Sequence, residues 1–103
     1  MQVIDHAPYS WFLLAAGDAL LFDAYCNHSA LGYSWLIELN AQERQAYARG
    51  GRAYLDRLAQ DIHNGVPILK ISTSPYRTRN REAEFADAVT QAIRAWRADA
   101  REG

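Results

Sequence analysis

Two runs of apolar side chains near the start of the chain predict a β-hairpin. Residues 10–16 and 19–26 are dense in aromatic and aliphatic side chains, and Gly17-Asp18 lies between them. Glycine at the first position of a two-residue turn suits the type II′ geometry that connects antiparallel strands. Successive side chains on a strand point to opposite faces. We therefore predict a first face with Trp11, Leu13, Ala15, Leu20, Phe22 and Ala24, and a second face with Phe12, Leu14, Leu21, Asp23 and Tyr25.

The next segment predicts a third strand followed by a helix. Apolar and polar residues alternate over residues 33–39, which favours a strand. Asn40, with Glu43 three positions later, forms the sequence of a capping box, so a helix is expected to begin after Asn40. Apolar positions at spacings of three and four continue this helix to about His63. The stripe comprises Tyr47, Gly51, Tyr54, Leu55, Leu58 and Ile62.

The second half of the chain predicts a short strand and a second helix. Asn64-Gly65 is expected to end the first helix, and Gly50-Gly51 within it allows either a close approach to the sheet or a kink. The segment 66–72 is β-prone, but Pro67 lacks an N–H and confines it to a sheet edge. A hydroxyl-rich loop leads to a helix over about 80–100, whose apolar stripe comprises Phe85, Val89, Ala92, Ile93 and Trp96.

These elements predict an α+β fold. The expected order is β-β-β-α-β-α, with an antiparallel sheet of three to four strands and two amphipathic helices packed on it. A chain of 103 residues, half of them hydrophobic and 22% charged, is of a size and composition typical of one folded domain over residues 1–103. No internal repeat or low-complexity segment interrupts it.

Composition also favours a cytoplasmic protein with no membrane segment. The longest apolar runs are far below the roughly 20 residues that cross a bilayer, and the N-terminus lacks the basic region of a secretory signal. Cys26 is the single cysteine and cannot form an internal disulfide, which fits a reducing compartment.

Charge is distributed unevenly along the chain. Residues 1–43 contain five acidic side chains and no Lys or Arg, whereas the remainder contains all eleven basic residues. The acidic residues are explained by turns and solvent-facing strand positions. If they gather on one rim, they would instead attract a basic partner and accelerate its association.

The approach to the second helix is a candidate anion site. Residues 62–81 contain no acidic side chain, and a helix N-terminus with nearby arginines can hold a phosphate or carboxylate. The segment lacks the glycines of a phosphate loop and the interleaved aromatics of a nucleic-acid platform, so a solvated capping loop or contact with an acidic protein surface explains it too. The candidate residues are Lys70, Ser72, Thr73, Ser74, Arg77, Thr78, Arg79 and Arg81.

Cys26 and the histidines are weaker candidates for a metal or catalytic site. Cys26 and His28, with His6 or His63, could supply zinc ligands, and Cys26 with a histidine base could act as a nucleophile. No paired cysteine motif supports a metal site, and Asp23 is expected on the opposite strand face from Cys26. A buried, inert thiol with surface histidines is the simpler interpretation, and no cofactor is predicted.

The second face of the hairpin is the candidate partner surface. If both helices pack on one side of the sheet, the other apolar face is exposed, as at protein interfaces. One helix on each face, or an N-terminal segment folded over, would cover it instead. The residues concerned are Phe12, Leu14, Leu21, Asp23 and Tyr25. The leading hypothesis is thus a small protein-interaction module, of the inhibitor or immunity type or homodimeric through its sheet, and the alternative is an anion- or nucleic-acid-binding domain.

Overall fold

Four antiparallel strands in sequential order form a single sheet. The computed structural model describes residues 1–28, 31–69 and 72–102. Within them, two helices and a short 3₁₀ turn follow the strands. The elements are β1 (Gln2–Ala7), β2 (Trp11–Ala16), β3 (Ala19–His28), β4 (Leu31–Glu38), α1 (Ala41–Asn64), the 3₁₀ turn Arg77–Arg79 and α2 (Glu82–Glu102). The predicted α+β class and the antiparallel sheet are confirmed.

The hairpin of β2 and β3 has the predicted register. Ala16 pairs with Ala19 around the Gly17-Asp18 turn, and Leu13 pairs with Phe22. The two predicted faces therefore exist, because pairing in this register fixes which side chains share a side of the sheet.

The fourth strand lies at the N-terminus and not after α1. β1 pairs with β2 and carries a bulge between Val3 and Asp5. In the described part of 66–72, where an edge strand was expected, the backbone forms turns: the Leu69 amide donates to the Val66 carbonyl at 3.2 Å, and the Ser72 amide to the Leu69 carbonyl at 3.0 Å. These local hydrogen bonds use backbone N–H and C=O groups that, in a strand, would pair with a neighbouring strand. The order is corrected to β-β-β-β-α-α.

One helix covers each face of the sheet. On the first face, Leu55, Leu58 and Ile62 of α1 join a core that includes Trp11 and Phe22. On the second face, Val89 and Ala92 of α2 pack in a separate core with Leu14, Leu21 and Leu36. Leu14 and Leu21 are fully buried, so the prediction of an exposed surface is wrong for these two residues. The hydrophobic pattern of a helix shows that it packs on a sheet, but not on which side.

The first helix is capped as predicted and is also kinked. The Asn40 side chain accepts from the Glu43 amide at 2.8 Å, and the Glu43 side chain accepts from the Asn40 amide at 2.9 Å. Gly51 has φ 58° and ψ −141°, a conformation that glycine adopts readily and other residues do not. The kink, one of the two outcomes left open by Gly50-Gly51, is therefore what the structure contains. No described helix is both long and apolar enough to span a bilayer.

Substitution of Gly51 by Ala is expected to lower the free energy of unfolding by about 1–3 kcal/mol. A Cβ at this position would meet no atom within 4 Å, so the cost comes from the backbone conformation alone. Gly50→Ala is the matched control, because its gain in helix propensity is offset by a close contact of 3.1 Å with the Tyr54 Cβ. Urea denaturation measures both variants. Equal stability of Gly51→Ala and the wild type would contradict the kink.

A candidate binding groove at the open end of the sheet

Part of the second face is left uncovered by α2 and forms the floor of a groove. Phe12, Asp23 and Ser34 lie on this floor, and the side of α2 forms a wall. The groove has a volume of about 800 Å³. Pockets of this size with apolar linings and a few polar groups are typical of ligand and peptide sites. The residues that α2 contributes to the wall are Thr90, Ile93, Arg94, Trp96 and Arg97.

Three rings pack against each other at one end of this groove, which we call the aromatic groove. The centroid of the Trp96 ring lies 4.4 Å from that of His6 and 5.7 Å from that of Phe12, in edge-to-face arrangements. His6 stacks on Phe12 at 5.7 Å. The Arg97 guanidinium lies over the Phe12 ring, 5.8 Å from its centroid. The three rings therefore form an aromatic cluster that already has one cation over the Phe12 ring.

Asp23 is the acidic group of the floor. Among the described residues its carboxylate makes no hydrogen bond or ion pair. Burial, with a smaller contribution from the negative charge of Glu82, raises the pKa of Asp23 to about 6. Burial also raises the pKa of Glu82. A half-buried carboxylate without a protein donor is energetically unfavourable, and such groups concentrate at functional sites.

Tyr9 and Tyr25, the tyrosine pair, stand at the rim. Tyr9 lies in the turn between β1 and β2, is 96% exposed and has φ 63°, a left-handed conformation that is unfavourable for an aromatic residue. Tyr25 is 46% exposed, and its hydroxyl end lies where a Cβ of residue 32 would stand, so Gly32 permits this position. Sequence and backbone therefore hold two large rings in solvent at one end of the sheet.

The tyrosine pair also lines a second, shallower hollow on the α1 side. This hollow has a volume of about 670 Å³ and includes Trp11, Asp56 and His63. The Trp11 indole N–H donates to an Asp56 carboxylate oxygen at 2.9 Å, which fixes the hollow's wall. Tyr9 and Tyr25 therefore border concave surface on both sides of the sheet.

The predicted anion site is built differently from the expectation. The Arg79 guanidinium binds both carboxylate oxygens of Glu43, at 2.6 and 3.0 Å. Arg81 binds Glu38 at 3.0 Å and Glu84 at 2.8 Å, and the Arg77 Nε donates to the Leu69 carbonyl at 3.0 Å. Two of the three arginines are thus neutralised by carboxylates outside residues 62–81.

The hydroxyl residues of the same loop have local roles. The Ser72 hydroxyl donates to the Gly65 carbonyl at 2.6 Å, and the Ser74 hydroxyl accepts from the Tyr76 amide at 3.2 Å. Thr73 and Thr78 are exposed. Lys70 lies outside the described residues. These bonds are those of a loop that stabilises its own backbone.

The cysteine and histidines are not brought together. Cys26 is buried on the first face, and burial raises the pKa of its thiol, which disfavours the reactive thiolate. His6 lies in the aromatic groove, the His63 Nε2 lies 2.8 Å from the Asn27 carbonyl oxygen, and the His28 side chain is outside the described part. No group of three or more His, Cys, Asp or Glu side chains in the described ranges could hold a metal ion.

Most residues of the site were not assigned to it from the sequence, among them His6, Tyr9 and Trp96. His6 was missed because β1 was not predicted, and Tyr9 because only the backbone shows its left-handed conformation. Trp96 was expected to be buried in the core. One feature of the sequence could have assigned Trp96 to the site. This residue lies at the end of the apolar stripe of α2, near the solvent-exposed C-terminal turns.

Comparisons with protein families, with curated proteins and with solved structures found no match to this chain.

Proposed function

We propose that the protein is an interaction module that binds a partner protein through the tyrosine pair and the aromatic groove. The observation that carries this proposal is Tyr9, a large ring almost wholly in solvent and held in an unfavourable backbone conformation. Strained residues at exposed positions are typical of functional sites. Tyrosine and tryptophan are also the residues that dominate binding energy at protein interfaces.

The surroundings of the tyrosine pair fit a partner better than a substrate. Aromatic side chains, two arginines and one carboxylate border the groove, which is the mixture of apolar anchors and charged rim found at specific interfaces. Such a module would act by occupying its partner's surface, as inhibitor and immunity proteins do. The single buried cysteine fits the cytoplasm as its place of action.

The anion-binding alternative has less support. Arg79 and Arg81 are already held by Glu43, Glu38 and Glu84, so an external phosphate would have to compete with carboxylates of the same chain. We therefore propose that the partner protein binds at the tyrosine pair and the aromatic groove, and not at the 72–81 loop.

Replacement of the tyrosine pair is expected to weaken partner binding by at least about tenfold. Tyr9→Asn removes the ring and suits the left-handed backbone, since asparagine tolerates φ near 60°; Tyr25→Ser removes the second ring. Affinity capture from native lysate identifies a partner, and calorimetry measures its affinity for the wild type and the double variant.

Leu69→Ser is the matched control, because Leu69 is also 46% exposed but does not line the groove. Unchanged affinity of Tyr9→Asn/Tyr25→Ser, or an equal loss in Leu69→Ser, would contradict the proposal. Sedimentation equilibrium of the purified chain determines whether the partner is a second copy, because a homodimer doubles the mass without any added protein.

A further inference from the structure

We propose that the floor of the aromatic groove receives a lysine or arginine side chain of the partner protein, with its cationic end at Asp23. This inference rests on the proposed function and specifies what the partner inserts. Its first support is the missing donor: Asp23 has no hydrogen-bond or ion-pair partner among the described residues. The carboxylate borders the groove and is only half-buried, so it is open to a cation that the partner brings.

The second support is the chemistry of the rings beside Asp23. His6, Phe12 and Trp96 form a continuous aromatic surface beside Asp23. The long apolar stem of a lysine or arginine packs well on such rings, and the ring faces attract its charge. Arg97 of this chain already uses the Phe12 ring in this way.

The third support is the sign of the nearby charges. Glu82 lies close enough to raise the pKa of Asp23, so a cation that reaches Asp23 would relieve the repulsion between these two carboxylates. Arg94 and Arg97 line the α2 wall without an ion pair to any described residue. They would meet a carboxylate of the partner that lies beside the inserted cation, and they would reject a purely basic segment.

Two blocked tripeptides test the inference directly. Acetyl-Glu-Lys-Glu-amide carries the proposed cation between two carboxylates, and acetyl-Glu-norleucine-Glu-amide has nearly the same stem without the ammonium group. Their binding to the full chain is followed by the ¹H–¹⁵N signal of the Trp96 indole. We expect the lysine peptide to bind at least about tenfold more tightly, and we expect Asp23→Asn to remove this preference.

Glu84→Gln is the matched control, since Glu84 is a carboxylate of α2 outside the groove and should leave the preference intact. Equal binding of the two peptides, a lysine preference that persists in Asp23→Asn, or no shift with the lysine peptide at millimolar concentration would each overturn the inference. Preferential binding of acetate over n-butylammonium would favour an anionic occupant and overturn it too. The peptide experiments test only the cation site at Asp23. The proposed function is tested separately, by the effect of Tyr9→Asn/Tyr25→Ser on partner binding.

Discussion

Glu43→Ala is expected to lower the free energy of unfolding by about 2–3 kcal/mol, because it leaves a partly buried guanidinium without its counter-ion. Glu43 is only 8% exposed. It accepts two hydrogen bonds from Arg79 and one from the Asn40 amide. Removal therefore breaks an ion pair and half of a capping box together. Arg79 would keep only its bond to the Glu38 carbonyl, at 2.8 Å.

Urea denaturation at neutral pH measures this loss. Three further variants show its origin: Glu84→Ala, Arg79→Leu and the double variant Glu43→Ala/Arg79→Leu. Glu84→Ala removes a solvent-exposed partner of Arg81 and should change stability little, because water screens such pairs. Glu43→Ala/Arg79→Leu should lose less than the two single variants together, since neither charge remains unpaired. Additive losses, or an equal effect of Glu84→Ala, would show that the Glu43–Arg79 pair is not what stabilises this region.

The elements that the sequence predicted well are those with a strict local period. The β2–β3 register follows from Gly17-Asp18 and the alternation on either side, and the start of α1 follows from Asn40 and Glu43. In each case a few neighbouring residues determine the backbone, so no long-range information is needed.

β1 was missed because its pattern is broken and partly polar. The bulge between Val3 and Asp5 shifts the register, and Asp5 and His6 interrupt the apolar alternation. Asp5 is held by an ion pair to Arg52 of α1 at 2.9 Å, and His6 packs on Trp96 of α2. Both contacts join residues that are far apart in sequence, so a local pattern could not indicate them.

The candidate site was predicted in part for the same reason. Phe12, Asp23 and Tyr25 were assigned to a recognition surface and do line the groove. Leu14 and Leu21 share their face but lie under α2. The strand period determines which residues share a face, whereas the length and position of α2 determine where cover ends. Only the tertiary structure shows which part of the second face α2 leaves uncovered.

Asp23→Asn is expected to stabilise the protein by about 2–3 kcal/mol at pH 7.5 and to change it little near pH 4. Burial raises the pKa of Asp23 from an ordinary 3.8 to about 6 in the folded chain, while the unfolded chain ionises normally. The wild type therefore has its full contribution below pH 4 and loses it as the pH rises to about 6. Asparagine carries no charge at any of these values, so it avoids the loss.

Urea denaturation of the wild type and of Asp23→Asn across pH 4 to 7.5 measures the difference between their free energies of unfolding. Because both proteins contain the other carboxylates, the titration of those groups cancels in this difference. The charged and titratable groups around Asp23 include Cys26 of β3, His6 of β1, and Glu82, Arg94 and Arg97 of α2. Histidines in general change charge in the same range, so the profile is repeated in His6→Gln. A stability difference that does not vary with pH would refute the unfavourable burial of Asp23. A pH-dependent gain in stability together with the loss of the lysine preference would identify Asp23 as a residue retained for binding at the expense of stability.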